Sequence, residues 1–277
     1  MKHLARRLLP PVLWDALRWL LYPELRRPRR EGVRYTGDYA SWEEARAQSS
    51  GYEAKAILEC TRRSAHQARN TPGAIERDGV VLTTESIPWP LIAGLQRAAL
   101  TNRGRVHVLD FGGSLGGTCR QCRGFLPSQI ELRWSVVDQP AQVACGQSEF
   151  ADEELSFHLD IPSVLTTGLP DVLLLSGVLQ YMPDPHDFLD SALAHGFPWV
   201  ILDRTPFLNR LHDRLTVQHV PEWIYPASYP AWFFCESNLR DHFTGRYELV
   251  AAFPALDNPE VKGVSTRSGG LIYQRPS

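Results

Sequence analysis

Four aspartates close apolar runs between residues 106 and 203 of this 277-residue chain, and glycines crowd the first of them. In Val108-Leu-Asp-Phe-Gly-Gly-Ser-Leu-Gly-Gly117, Asp110 ends an extended run, and Gly112, Gly113, Gly116 and Gly117 form a turn into a helix. Glycine lets the backbone approach a ligand closely, and the first N–H groups of a helix lack partners of their own. Two ligand classes use such a turn. A nicotinamide dinucleotide wants Gly-x-Gly-x-x-Gly against its pyrophosphate. Counted from Gly112 the third position is Ser114, so that spacing fails. The alternative is an acid followed by a looser glycine set, facing a cationic ligand without phosphate. Asp110, Gly112, Gly113, Gly116 and Gly117 fit it better, although glycines at a strand-to-helix turn also serve packing alone.

Three further segments stand in the matching order. Asp138 follows the run Leu132–Val137, where a carboxylate accepts ribose hydroxyl protons, and Gln139 comes next. Asp160 and Ile161 follow Leu155–Leu159, an acid for an adenine amino group and an aliphatic side chain for its ring. Ser176, Gly177, Gln180 and Tyr181 follow Asp171–Leu175. Open α/β sheets bind ligands at these carboxyl ends. S-Adenosylmethionine, with a sulfonium, an ammonium and no phosphate, suits the whole set. Each segment alone is as well explained by scaffold; the four together favour a cofactor site.

An acceptor site is expected between the fifth run, Trp199–Asp203, and the last two strands. Gln218-His-Val-Pro221 precedes Trp223, Tyr225, Tyr229, Trp232, Phe233 and Phe234. Aromatic faces stack on sugars or other flat groups, and a lid of this kind excludes water. Methyl transfer from a sulfonium is an in-line displacement that gains much of its rate from alignment, and an oxygen acceptor also needs a base. His219 and Asp203 are the candidate bases and Tyr181 borders the methyl group, with Arg204, Tyr225, Tyr229 and Trp232 toward the substrate. The plainer readings are a core histidine at 219, an Asp203–Arg204 ion pair and a packing tyrosine. Cys119 and Cys122 form Cys-x-x-Cys without the second pair that a structural zinc requires, so no metal is expected. His186, between Pro183 and Pro185 on one side and Asp187 on the other, reads as a solvated turn.

The elements that must hold these residues are legible as texture. Continuous Val, Ile and Leu runs mean strands covered on both faces, as in a parallel sheet, and their alternation with helical stretches gives a doubly wound α/β fold. Strands are expected at 106–111, 132–138, 155–159, 171–176, 199–203, 247–253 and 270–274, about seven in all. Upstream, Ser41 with Glu44 spells a capping box, two helices are expected over 42–69 with a break at Gly51, and another from Pro88. The net charge of −2 argues against a nucleic-acid binder. Five cysteines suit a reducing compartment, hence a cytoplasmic protein. Residues 1–30 differ from the rest: eight bases face two acids there, and the run Leu8–Tyr22 is too short and interrupted to span a bilayer. A helix over 12–21 beside an arginine cluster is suited to an anionic membrane surface, and equally to packing on the protein body with solvated arginines.

The segments Val108–Gly117, Trp134–Pro140 and Leu174–Tyr181 resemble class I S-adenosylmethionine-dependent methyltransferases. More narrowly, Val108–Gly117 with Ile201-Leu-Asp-Arg-Thr-Pro-Phe207 and Tyr225-Pro-Ala-Ser-Tyr-Pro-Ala-Trp-Phe-Phe234 is similar to a methyltransferase family whose members tend to be encoded near bacterial O-antigen or capsule genes. The resemblance runs roughly from Tyr35 to Gln274. Ser114 replaces the middle glycine of the general motif, and Asp138 stands where glutamate is more usual. It implies a Rossmann-like sheet, S-adenosylmethionine as cofactor, and an O- or N-acceptor on a small molecule or surface-polysaccharide precursor. The organisation expected is a basic segment (1–34), a helical cap (35–104) and a methyltransferase core (105–277) with a lid insertion (206–236). The rival reading is a non-catalytic binding or assembly protein on the same scaffold. Oligomeric state is not legible.

Overall fold

The computed structural model describes residues 32–51, 54–83, 87–255 and 259–276. The N-terminal helix expected over 12–21 lies outside the described residues. Val33–Ser277 form one compact unit. Its elements, in chain order, are β1 (Arg34–Tyr39), α1 (Trp42–Ala47), α2 (Ala54–Arg69), β2 (Ala74–Arg77), β3 (Val80–Thr83), α3 (Trp89–Thr101), β4 (Arg105–Phe111), α4 (Gly117–Arg123), β5 (Glu131–Val137), α5 (Pro140–Glu149), β6 (Leu155–His158), α6 (Ile161–Leu165) and β7 (Val172–Ser176). A 3₁₀ turn (Leu179–Tyr181) leads to α7 (Pro185–Leu193), β8 (Trp199–Leu208), β9 (Arg214–Val220), β10 (Ala227–Cys235), α8 (Glu236–Asp241), β11 (Glu248–Pro254) and β12 (Thr266–Gln274).

The seven expected strands are β4 to β8, β11 and β12, and they sit side by side in the order β6-β5-β4-β7-β8-β12-β11. Neighbours from β6 to β8 pair in parallel; β12 runs antiparallel to β8 and β11 antiparallel to β12. The dinucleotide-binding arrangement numbers its strands 3-2-1-4-5-6, with no antiparallel strand wedged beside the fifth. The sheet is Rossmann-like, with that one departure. Alternate strand residues feed two cores. Val106, Val108, Trp134, Val136, Leu174 and Ile201 pack with Leu91, Leu95 and Ala98 of α3 and Val143 of α5. Leu109, Val137, Leu173, Leu175, Val200 and Leu202 pack with Val164 of α6, Leu189 and Leu193 of α7, and Leu239 of α8. Burial on both faces is what the unbroken apolar runs require.

Ser41 caps α1 as expected, its Oγ accepting from Glu44 N–H at 3.2 Å. Glu44 reaches back one residue further than the usual box, to Ala40 N–H at 3.0 Å. The region 35–104 is more than helical: β1 pairs with β9, and β2 with β3 forms a separate hairpin. Its turn, Asp78 (φ 51°) and Gly79 (φ 79°), has the left-handed backbone that two-residue hairpins need.

Residues 206–236 are largely strand. β8 runs five residues beyond the expected end at Asp203, and β9 and β10 form an antiparallel hairpin that joins β8 through Phe234–Phe207 and Cys235–Leu208. The aromatic stretch is therefore the sheet's own extension, because alternate residues of Tyr229–Phe234 are needed on both of its faces. At the bend, Arg204 has φ 52° and the register with β12 slips between Gly269 and Leu271, a bulge that turns β8 away from β7.

Candidate cofactor and acceptor site

Three positive-φ residues shape the turn after β4: Gly112 (76°), Ser114 (50°) and Gly116 (78°). Its glycines admit the protein's own groups. A Cβ on Gly112 would lie 2.4 Å from Val178, on Gly113 2.5 Å from Asp110 Oδ2, on Gly116 2.5 Å from Leu155, and on Gly117 3.0 Å from Glu76 Oε2. The first three contacts draw Val178, Asp110 and Leu155 tightly around the β4 tip. The fourth sets a carboxylate at the start of α4, where a dinucleotide fold receives pyrophosphate.

Asp110 underlies the turn rather than lining it. The residue is 1 % exposed, and its Oδ2 accepts the indole N–H of Trp134 at 3.0 Å. Burial pushes its pKa up to about 7, with the charges of Asp138 and Asp203 adding to the rise. Asp138 sits against the same turn: Oδ2 accepts Ser114 N–H at 2.8 Å and Oδ1 accepts Gln139 N–H at 2.7 Å. Burial raises it too. A carboxylate offers about four acceptor positions, so room remains for ribose hydroxyls. Asp160 caps α6 through Ser163 N–H at 2.8 Å and stays exposed, with Ile161 buried beside it. Ser176 Oγ donates to Asp203 Oδ2 at 2.9 Å, and Gly177 N–H to Asp203 O at 2.9 Å. Gln180 is buried, and its Oε1 has no hydrogen-bond partner among the described residues, an acceptor that a ligand donor would satisfy.

The proposed acceptor residues divide. Tyr181 Oη donates to Gln218 Oε1 at 2.9 Å, Gln218 Nε2 donates to Tyr229 Oη at 3.1 Å, and the Tyr229 and Tyr225 hydroxyls are 3.3 Å apart. Burial raises the pKa of all three phenols. Arg204 pairs with Asp78 of the β2–β3 turn and lies 3.4 Å from a Cβ placed on Gly177. His219 stands apart from this chain of hydroxyls. Strand side chains alternate, so it faces away from Gln218 and bonds Thr36 Oγ1 at 2.8 Å. Trp232 gives its indole N–H to Met182 O at 3.1 Å and packs in the core. Asp203 is 6 % exposed beneath Ser176.

Sequence reasoning passed over two participants. Gln218 links the tyrosines, and period-two counting along β9 from His219 would have found it. Glu76 reaches the glycine turn from a hairpin whose signal, Asp78-Gly79 between two apolar pairs, was present. Cys119 and Cys122 are core residues whose thiols burial raises, and among the described residues no three His, Cys, Asp or Glu side chains are grouped to hold a metal. His186 is not a solvated turn. It opens α7, bonded to His242 Nε2 through Nδ1 at 2.8 Å and to Asp213 Oδ2 through Nε2 at 2.6 Å.

No protein-family model and no curated protein matches the chain. Solved structures share its architecture. The magnesium protoporphyrin IX methyltransferase of Synechocystis PCC 6803, with bound S-adenosylmethionine, is 14 % identical over 68 % of this chain and 77 % of its own, with a TM-score of 0.46. The 1,6-didemethyltoxoflavin-N1-methyltransferase of Burkholderia thailandensis is 17 % identical over 87 % of this chain and 93 % of its own, at 0.42. CalS10, an amino pentose methyltransferase of Micromonospora echinaspora, is 11 % identical over 77 % of this chain and 96 % of its own, at 0.45. At such scores they place no residue or ligand in this chain.

Proposed function

We propose that this chain is an S-adenosylmethionine-dependent methyltransferase. One observation carries the reading. The tips of β4 and β5 hold two carboxylates, buried Asp110 and half-buried Asp138, and a third carboxylate, Glu76, covers the start of α4. A cation relieves that concentration of charge; a pyrophosphate would worsen it. The nicotinamide alternative is disfavoured on the same ground, independently of its glycine spacing. Across the sheet edge Asp160, Asp138, the glycine turn and Ser176 follow in the order β6, β5, β4, β7, the sequence of sites an adenosyl ligand needs for base, ribose and 5′ arm.

For the acceptor we propose a hydroxyl or amine of a sugar, such as a surface-polysaccharide precursor. The support is the tyrosine–glutamine chain with Arg204 nearby: flat faces for a ring, and donors and acceptors for its hydroxyls. Transfer would place the nucleophile in line with the methyl group beside Tyr181, and alignment would supply most of the rate. Among the described residues no helix is long and apolar enough to cross a membrane. A cytoplasmic enzyme touching anionic lipid through residues 1–30 fits the charge of that segment. Calorimetric titration with S-adenosylhomocysteine and with NAD tests the cofactor. Micromolar binding of the first and none of the second is expected, with Asp138→Asn weakening it roughly ten- to a hundred-fold. Preference for NAD overturns the reading.

A further inference from the structure

We propose that Glu76 binds the ammonium group of the cofactor's amino-acid arm, which makes the β2–β3 hairpin part of the cofactor site. The inference rests on the methyltransferase reading. With the ribose on Asp138 at the β5 tip and the base toward Asp160 at β6, the 5′ arm extends toward β4 and β7. Glu76 stands on that side. Its Oε1 accepts Gly79 N–H at 2.8 Å, while its Oε2 has no hydrogen bond among the described residues and lies 3.0 Å from a Cβ placed on Gly117. A side chain at Gly117 would crowd the carboxylate and the Glu76 carbonyl behind it.

The hairpin is held in place at its turn. Ser64 Oγ donates to Gly79 O at 2.6 Å, and Asp78 pairs with Arg204 on β8. The hairpin thus reaches from the start of α4 to the bulge of β8, across the crevice between β4 and β7. The charges around the Glu76 carboxylate are Arg77 and Asp78 of its own hairpin and Arg204, with Tyr225 and Cys60 alongside. Burial pushes Glu76 up to about 7, a carboxylate that gains from a cation and has no full counter-charge. An ammonium donor fits the open oxygen, and charge-assisted bonds of this kind are short and strong.

The test compares two probes on the whole chain. S-Adenosylhomocysteine carries the amino-acid arm; 5′-methylthioadenosine has the same adenosine and sulfur without it. Glu76→Gln keeps an acceptor for Gly79 and is expected to weaken S-adenosylhomocysteine roughly thirty-fold and methylthioadenosine less than three-fold. In the unsubstituted protein the preference for S-adenosylhomocysteine should shrink between pH 8 and pH 6 as Glu76 takes up its proton. That slope should persist in Asp110→Asn, which separates it from the other carboxylate titrating in this range. Equal losses on both probes, no loss on either, or a preference independent of pH overturns the assignment. If the unsubstituted protein binds neither probe, the methyltransferase reading itself has failed.

Discussion

Replacing Asp110 by Asn should make the protein more stable and, on the proposed function, less able to bind S-adenosylmethionine. The carboxylate is 1 % exposed, its one side-chain donor among the described residues is the Trp134 indole, and burial carries its pKa from 3.8 to about 7. Between those values the folded state keeps a proton that the unfolded chain has released, so this group's contribution to stability falls as pH rises from about 4 to about 7. At 1.36 kcal/mol per pH unit the full displacement is worth about 4 kcal/mol above pH 7, and roughly half of that or less at pH 5. Asn keeps an oxygen for the indole and carries no charge. Urea unfolding should therefore show Asp110→Asn more stable than the unsubstituted protein, by about 4 kcal/mol at pH 8 and by roughly half of that or less at pH 5. The cofactor should lose in the opposite sense. Losing a charge near the sulfonium, at an effective dielectric near 20, should cost roughly ten-fold in S-adenosylmethionine affinity at pH 8. A stability change of the same size at both pH values would refute the reasoning, since it would report packing and not buried charge. So would unchanged affinity.

Two further outcomes test the scaffold. The contacts Asp213–His186, His186–His242 and His242–Asp190, the last at 2.9 Å, need three protons where two neutral imidazoles supply two, so His186 carries the third. Its pKa is raised, chiefly by the bond to Asp213, so its stabilisation is fully present below about 6.5 and is lost as pH rises through the raised value. His186→Gln should lower the melting temperature more at pH 5.5 than at pH 8.5, and equal losses would count against the shared proton. Gly112→Ala forces φ 76° on an alanine and sets its Cβ 2.4 Å from Val178. Urea unfolding should show a loss of about 2–4 kcal/mol, and a loss under 1 kcal/mol would mean the turn relaxes freely.

Legibility followed the range of the interactions involved. The core strands announce themselves because a strand buried on both faces has to be apolar throughout, and Val172–Leu175 and Val200–Leu202 state this without reference to any other part of the chain. The order of acids along them was readable for the same reason, since Asp110, Asp138 and Asp160 each lie at or just past the end of their own strand. The extension β1-β9-β10 was hidden because its aromatic residues serve two faces, and Tyr229–Phe234 looks identical in sequence whether it folds as a lid or as a sheet. The cost of that ambiguity falls on one residue pair. His219 attracts attention as a base, yet a one-residue step along a strand reverses the facing side, and Gln218 is the neighbour that meets the tyrosines. Glu76 shows the other limit. Its strand was findable from Asp78-Gly79, but no local pattern ties residue 76 to Gly117, and only the close approach of the two backbones does. Seen from that contact, the glycine at 117 reports less about a ligand than about the carboxylate above it. The chemistry of this site is set as much by the N-terminal hairpin as by the strand tips it covers.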